Sequence, residues 1–315
     1  MNEWINKCHF GDCLETLQRM PSGIVQTCVT SPPYFGLRDY GHDGQIGLEP
    51  TPDQFIAKLV DVFHEVKRVL SADGTLWLNI GDSYAANRGY QVPSTKGGAK
   101  HSESQAAGGK ASTVPDGCKP KDLIGIPWML AFALRADGWY LRQEVIWAKP
   151  NPMPESVTDR CTKSHESIFL LAKSEKYYCD MAAIKEPVAP GSVTRLNQDI
   201  DGQTGSDRVP GKNNGNMKAV GNTESRNKRS VWTVATTPYQ GAHFATFPTA
   251  LIEPCILAGA PAGGVVLDPF FGSGTSGEVA QNLGRKFIGC ELNPAYKALQ
   301  DKRLCQPSLD LELAA

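Results

Sequence analysis

Two short segments carry the residue types and spacings that could do chemistry. The first is the run Thr-Ser-Pro-Pro-Tyr at residues 30–34, which follows a hydrophobic strand candidate, Val25–Thr30. Two prolines fix the backbone and remove two N–H donors. The Pro32 carbonyl and the Ser31 hydroxyl can then act as paired acceptors beside the flat face of Tyr34. Such a turn suits an aromatic amino group whose ring stacks on the tyrosine, although alone it also fits a rigid loop.

The second segment is a glycine-rich turn, Gly272-x-Gly274-x-x-Gly277, between a hydrophobic run and a helix pattern. It matches the dinucleotide-binding fingerprint, and Glu291 lies 19 residues after Gly272, where a ribose-binding acid is expected. A nicotinamide-dependent oxidoreductase is therefore one candidate class. However, Asp268 ends the strand immediately before the turn, and a carboxylate there would repel a pyrophosphate.

The two strand-end acids favour S-adenosylmethionine instead. This cofactor has no phosphate, and its sulfonium and amino groups would be attracted by Asp268. Glu291 can accept hydrogen bonds from both ribose hydroxyls. We therefore expect an S-adenosylmethionine site at the glycine turn.

The two segments resemble motif IV and motif I of the DNA amino-methyltransferases, in the circularly permuted order of the beta group. Further similarities cover most of the chain: residues 11–15 (GDCLE), 74–80 (GTLWLNI), 147–151 (WAKPN), 165–170 (HESIFL) and 247–251 (FPTAL). The resemblance implies methyl transfer from S-adenosylmethionine to a flipped base of double-stranded DNA.

The turns and the resemblance together define the candidate site. The catalytic residues are Ser31, Pro32, Pro33 and Tyr34. The cofactor-binding residues are Asp12, Thr30, Phe247, Pro248, Asp268, Pro269, Phe270, Gly272, Ser273, Gly274, Thr275, Glu291 and Asn293. Asp12 equally fits the N-cap of a helix.

The target base is decided by resemblance alone. Ser-Pro-Pro-Tyr is similar to the cytosine-N4 enzymes, whereas the adenine-N6 enzymes usually begin the motif with Asp. We expect cytosine N4, with adenine N6 as the alternative. Methylation of carbon 5 would need a cysteine after a proline, but Pro254-Cys255 lies within an apolar helix pattern, where an inert buried thiol is expected.

Strand and helix patterns alternate around these turns. Strands are expected at 25–30, 75–80, 140–147, 167–172, 265–268 and 286–291, and helices at 53–70, 123–136, 248–259, 275–283 and after 293. This alternation predicts an α/β fold with a doubly wound, mostly parallel sheet, and ligands beyond the carboxyl ends of its strands. The resemblance implies a permuted Rossmann-like sheet of seven strands, one of them antiparallel.

Two basic segments interrupt the pattern. Residues 86–121 contain six basic and two acidic residues, and residues 185–230 contain eight and five. We interpret both as long loops and expect the first to close over DNA. The catalytic part would then span 1–184, a target-recognition insertion 185–230, and the cofactor-binding part 231–315. The candidate DNA contacts are Arg195, Arg208, Lys212, Lys218, Arg226, Lys228 and Arg229.

Composition excludes several other classes. The chain has 315 residues, 41% of them hydrophobic, and a net charge of −1. Its nine cysteines form no Cys-x-x-Cys pair, so we expect reduced thiols and no metal site. The N-terminus lacks a signal-peptide pattern and no apolar run could span a membrane, which predicts a cytoplasmic location.

Three matters stay open. A nucleic-acid-binding module without catalysis is a further alternative, although both motifs are intact. The resemblance leaves open whether the enzyme is a monomer or a homodimer. It also leaves open whether a cognate restriction endonuclease accompanies it.

Overall fold

The structure is a computed structural model that describes residues 3–37, 41–42, 44–85, 114–197, 223–236 and 247–304. Its strands are β1 Lys7–Phe10, β2 Val25–Thr30, β3 Leu70–Ile80, β4 Tyr140–Ala148, β5 His165–Ala172, β6 Glu186–Pro187, β7 Ser225–Arg226, β8 Val231–Thr233, β9 Val265–Asp268 and β10 Lys286–Glu291. Its helices are α1 Cys13–Arg19, α2 Pro52–Val69, α3 Ile126–Ala136, α4 Pro190–Leu196, α5 Thr249–Gly259, α6 Thr275–Asn282 and α7 Lys297–Leu304.

The main sheet has the order β1-β10-β9-β2-β3-β5-β4-β8 within these residues. β5 runs antiparallel to both of its neighbours, and every other pair is parallel. The predicted α/β fold and its single antiparallel strand are confirmed. Within the described part of the chain the sheet has eight strands rather than seven, because the three-residue β8 adds to the edge beside β4.

Helices cover both faces of the sheet. Along β3, Leu76, Leu78 and Ile80 pack into the cluster that contains α1, α2 and α3, whereas Trp77 packs into the cluster that contains α5 and α6. Successive strand residues point to opposite faces, so a strand buried on both sides reads as one apolar run. The doubly wound arrangement follows from this alternation.

Helix α2 shows why the predicted boundaries were nearly correct. The Thr51 side chain accepts a hydrogen bond from the Gln54 N–H, and Pro52 occupies the first turn, which is a favourable helix start. Seven of its apolar residues are buried at helical spacing. The expected helix 53–70 and the observed one differ by one residue at each end.

The second basic segment contains regular structure that the sequence analysis did not predict. Helix α4 and the short antiparallel pair of β6 and β7 lie within 185–230, so this segment is not a continuous loop. Strand β1 was also missed, because its four residues carry no alternating pattern. Residues 86–113 of the first basic segment lie outside the described residues.

Candidate active site

The two chemical turns lie side by side at the carboxyl edge of the sheet. β2 and β9 are parallel neighbours, so their ends meet although they are far apart in sequence. The Thr30 hydroxyl donates a hydrogen bond of 2.6 Å to Asp268 Oδ1, directly joining the start of one turn to the start of the other. The two turns are therefore adjacent in the fold.

Asp268 is a buried carboxylate held by three donors. Besides Thr30, the Ser276 hydroxyl donates to Oδ2 at 2.7 Å and the Phe270 N–H donates to Oδ1 at 3.0 Å. Burial raises the pKa of Asp268 from 3.8 to about 6, and the three hydrogen bonds oppose that rise only in part. The carboxylate is thus fixed in place, and a cation beside it would favour its ionised form.

Glu291 has a comparable setting at the end of β10. Its carboxylate accepts the N–H groups of Gly272 and Asn293, each at 2.8 Å. Burial raises the pKa of Glu291, and these two hydrogen bonds lower it. Asn293 in turn caps the short 3₁₀ helix Pro294–Tyr296 through the Ala295 N–H. Both predicted strand-end acids therefore lie at the glycine turn.

The glycine turn is shaped by Phe271. Its ring stacks on Phe287 with centroids 5.4 Å apart, and a Cβ atom at Gly277 or Gly289 would lie within 2.6 Å of the ring. Gly274 has φ 88° at the start of α6. The last glycine of the fingerprint thus permits packing of Phe271, a role the sequence analysis did not assign.

Helix α7 braces the same turn from behind. The Gln300 side chain donates to the Gly272 carbonyl at 2.7 Å, and Arg303 donates to the hydroxyls of Ser273, at 2.8 Å, and Thr275. Ser273 and Thr275 were predicted to bind cofactor. Their side chains are buried and hold the turn against α7.

The turn at residues 30–34 is anchored through Tyr34. The Tyr34 hydroxyl donates to Glu166 Oε2 at 2.6 Å, and the Asn79 side-chain amide donates to the same oxygen at 3.2 Å. Lys149 forms an ion pair with the other carboxylate oxygen. Asn79, Lys149 and Glu166 lie in the segments 74–80, 147–151 and 165–170, whose family resemblance predicted no role for these three residues. The available signal was a lysine directly after β4 and a glutamate within the apolar strand β5.

One cavity of about 820 Å³ is lined by both turns. Most of the predicted site residues line it: Asp12, Ser31, Pro32, Pro33, Tyr34, Phe247, Asp268, Pro269, Phe270, Gly272, Ser273, Thr275, Glu291 and Asn293. Thr30, Pro248 and Gly274 lie outside this lining. Thr30 supports Asp268, Pro248 precedes α5, and Gly274 precedes α6. Asp12 both lines the cavity and caps α1 by accepting the Glu15 N–H at 2.9 Å.

Three of the seven candidate DNA-contact residues have described side chains, and each of the three has a partner within the protein. Arg208, Lys212, Lys218 and the side chain of Arg195 lie outside the described residues. Arg226 and Arg229 both donate to Glu186 Oε1, at 2.9 and 2.8 Å, so one carboxylate holds both guanidinium groups. Lys228 lies over the Trp232 ring at 5.2 Å. These residues lead into β8, whose partner strand β4 contributes Trp147 to the cavity.

Cys255 does not suit nucleophilic catalysis. It is buried in α5, where burial raises the pKa of its thiol well above the ordinary value. Its contacts therefore agree with the expected inert thiol.

The family model described as "DNA methylase" matches residues 25–302. The chain belongs to the DNA methylase family. This match decides against the dinucleotide-binding oxidoreductase. The methylase transfers a methyl group from S-adenosylmethionine to DNA, in a family whose targets are the N4 or N6 amino groups of bases.

Curated relatives agree with this assignment. The methylase is 52% identical over 295 residues to the type II methyltransferase M.Cfr9I of Citrobacter freundii, covering 93% of this chain and 86% of the relative. It is 47% identical over 295 residues to the type II methyltransferase M.SmaI of Serratia marcescens, covering 93% and 89%. Enzymes of this type belong to restriction–modification systems.

Solved structures share the fold. The PvuII DNA methyltransferase, named as cytosine-N4-specific, superposes with a TM-score of 0.62 at 17% identity, covering 96% of this methylase and 87% of that chain. A Thermus thermophilus protein solved with S-adenosyl-L-methionine gives 0.57 at 22% identity, covering 94% and 93%. Among the described residues of this methylase, none of the helices is long and apolar enough to cross a membrane. The same residues contain no cluster of His, Cys, Asp and Glu that could hold a metal ion.

Proposed function

We propose that this methylase transfers the methyl group to N4 of cytosine in double-stranded DNA, with the base turned out of the duplex. The observation that carries the proposal is the shared cavity, in which Ser31 and Tyr34 line one part and Asp268 and Glu291 another. The hydrogen bond between Thr30 and Asp268 fixes these two parts of the cavity relative to each other. A base and a cofactor held there would be neighbours.

The cavity residues fit S-adenosylmethionine by their chemistry. Asp268 presents a buried carboxylate for a positively charged group, and Glu291 presents a partly buried carboxylate for ribose hydroxyls. Pro269, Phe270 and Phe247 supply apolar walls. When bound, the cofactor supplies an electrophilic methyl group on a sulfonium sulfur.

The catalytic turn can prepare the base amine. The Ser31 hydroxyl and the Pro32 carbonyl would accept the two amino hydrogens, which favours a pyramidal nitrogen with an available lone pair. Tyr34 would stack on the extruded ring. The amine can then take the methyl group directly: a nitrogen–carbon bond forms as the sulfur–carbon bond of the sulfonium breaks, and the nitrogen gives one proton to water. No cysteine nucleophile is needed.

Support for cytosine over adenine comes from the motif and from one solved relative. Ser31 stands where adenine-N6 enzymes usually have Asp. The PvuII enzyme, whose name specifies cytosine N4, has the same fold. Incubation with DNA and labelled S-adenosylmethionine, followed by mass analysis of nucleosides, should yield N4-methylcytosine. N6-methyladenine would overturn the proposed base, and an unmodified digest would overturn the activity.

Replacing Ser31 by alanine should lower turnover roughly tenfold and change cofactor affinity less than twofold, because one neutral hydrogen bond to the amine is lost. Single-turnover rates and cofactor titration measure the two effects. Ser22→Ala, at the opposite end of β2, serves as the matched control. Equal losses of turnover and cofactor affinity would contradict the role of Ser31.

We further propose residues 185–230 as the target-recognition insertion. Changing Arg226, Lys228 and Arg229 together to alanine should weaken DNA binding and flatten its dependence on salt, because fewer counterions are released. Glu186 already neutralises part of this charge, so we expect the salt slope to fall by roughly one or two rather than by the full count of removed cations. Lys286→Ala, at the amino edge of the sheet, is the control. An unchanged salt slope in the triple variant would reject the role.

A further inference from the structure

Four polar side chains meet at the edge of the cavity and form what we call the Glu166 cluster: Tyr34, Asn79, Lys149 and Glu166. They come from the catalytic turn, from β3, from the residue after β4, and from β5. Asn79 also donates to the Ser167 carbonyl at 3.2 Å, which fixes it on β5. Three neighbouring strands thus converge on the tyrosine hydroxyl.

Stability alone does not account for this cluster. The side chains of Lys149 and Glu166 are only 17% and 14% exposed, and the desolvation of two charges offsets much of their attraction. Apolar residues of similar volume would pack there at little cost. The charges are better explained by the precise orientation that they impose on their neighbours.

The side chain oriented by this ion pair is Tyr34, whose ring is constrained at two points. Its hydroxyl is held by Glu166 at 2.6 Å. Its edge lies against Gly81, where a Cβ atom would be 2.5 Å from the ring. A ring fixed at its tip and along one edge has a defined plane.

We infer that Glu166 is a positioning residue, which sets the plane of the Tyr34 ring for stacking on the target base, while Lys149 holds the Glu166 carboxylate in place. This inference rests on the proposed function of Tyr34. Burial and the nearby Glu166 raise the pKa of Tyr34 well above its ordinary value. The phenol therefore stays protonated and donates to Glu166 throughout the neutral pH range.

A double-mutant cycle tests the inference. One arm is Tyr34→Phe, which keeps the ring and removes the hydroxyl. The other arm combines Lys149→Met with Glu166→Leu, which removes both charges together and leaves neither unpaired. Each arm should lower kcat about tenfold, in line with one hydrogen bond to a charged group, and should leave the Kd of S-adenosylmethionine within about twofold of wild type.

The combined variant decides the question. If Glu166 acts through the Tyr34 hydroxyl, the triple substitution should lower kcat no more than the stronger arm. Multiplying losses would show that the ion pair acts independently of Tyr34 and would overturn the inference. A wild-type protein without DNA methylation would instead overturn the proposed function.

Two further variants keep the test sound. Glu166→Gln retains an oxygen that can accept from Tyr34 and should recover most of kcat, whereas a loss as large as that of the arm Lys149→Met with Glu166→Leu would contradict the inference. If the apolar pair fails to fold, a cycle of Tyr34→Phe with Glu166→Ala replaces it: losses that do not multiply would support the inference, and losses that multiply would overturn it. Glu144→Gln is the matched control. The Glu144 side chain accepts a hydrogen bond of 2.7 Å from the Ser167 hydroxyl, and Glu144 is not among the residues that line the cavity.

Discussion

Replacing Tyr34 by alanine should reduce methyl transfer to DNA by roughly 100-fold, the upper part of the range that one base–aromatic stack contributes. The variant loses the aromatic face and also removes the donor that Glu166 binds. Affinity for S-adenosylmethionine should change little, because Asp268 and Glu291 lie at the other turn. Single-turnover methylation and cofactor titration separate the two quantities.

Two control variants test whether the effect comes from the aromatic ring of Tyr34. Tyr34→Phe keeps the stacking surface and should lose much less activity than Tyr34→Ala. Tyr140→Ala, at the amino end of β4 where the side chain is exposed, should leave activity unchanged. If Tyr34→Ala weakened cofactor binding as strongly as turnover, the stacking role would be wrong.

Replacing Asp268 by asparagine should weaken S-adenosylmethionine binding by roughly 10- to 100-fold at about pH 7.5, because an interaction between opposite charges is lost in a buried setting. The change keeps one oxygen for Thr30 and the Phe270 N–H, so the turn should remain folded. Isothermal titration at several pH values provides the measurement.

The affinity of the wild-type protein for S-adenosylmethionine should depend on pH through Asp268. Since the pKa of Asp268 is about 6 in the free protein, wild-type affinity should fall as pH drops below 6, by roughly tenfold per pH unit. The asparagine variant should lose this dependence. Glu291→Gln identifies any share due to the neighbouring acid, whose pKa is also raised by burial.

Lowering the pH should raise the stability of the cofactor-free protein, although it lowers the affinity for the cofactor. The rise of the Asp268 pKa from 3.8 to about 6 means that protonation favours the folded state. That contribution is complete below about pH 4 and is lost as pH rises through 6. Asp268→Asn should therefore stabilise the cofactor-free protein at about pH 7.5, by at most roughly 3 kcal/mol, while Asp61→Asn on the exposed side of α2 should not. Lower stability together with unchanged cofactor affinity would show that Asp268 is only structural.

Much of the fold could be predicted from sequence because buried strands and amphipathic helices carry strong patterns. β2, β9 and β10 were placed at their observed bounds, since each is an apolar run that ends at a polar or proline-rich turn. β1 was missed because edge position leaves its four residues only partly buried or exposed. Its place in the sheet depends on pairing with β10, which no local pattern encodes.

The site was predictable to the extent that each residue belonged to a turn. Asp268 ends β9 and Tyr34 lies in the turn that follows β2, so parallel pairing of these strands brought both residues to one edge. Glu166 and Lys149 could not be assigned, because their relation to Tyr34 depends on the register between β4 and β5. Nothing in the sequence around Arg226 and Arg229 indicated their ion pairs. Their partner Glu186 precedes them by 40 and 43 residues in the chain.

The central position of β2 has a consequence for synthesis on the ribosome. Its partner β3 emerges soon afterwards, but its other partner, β9, ends 238 residues after the end of β2. Until then the nascent chain carries a bare central strand edge, which can template pairing with other chains. Contacts of such wide separation also form slowly. We therefore expect the permuted order of the motifs to prolong the interval in which the growing polypeptide exposes this edge and is open to aggregation.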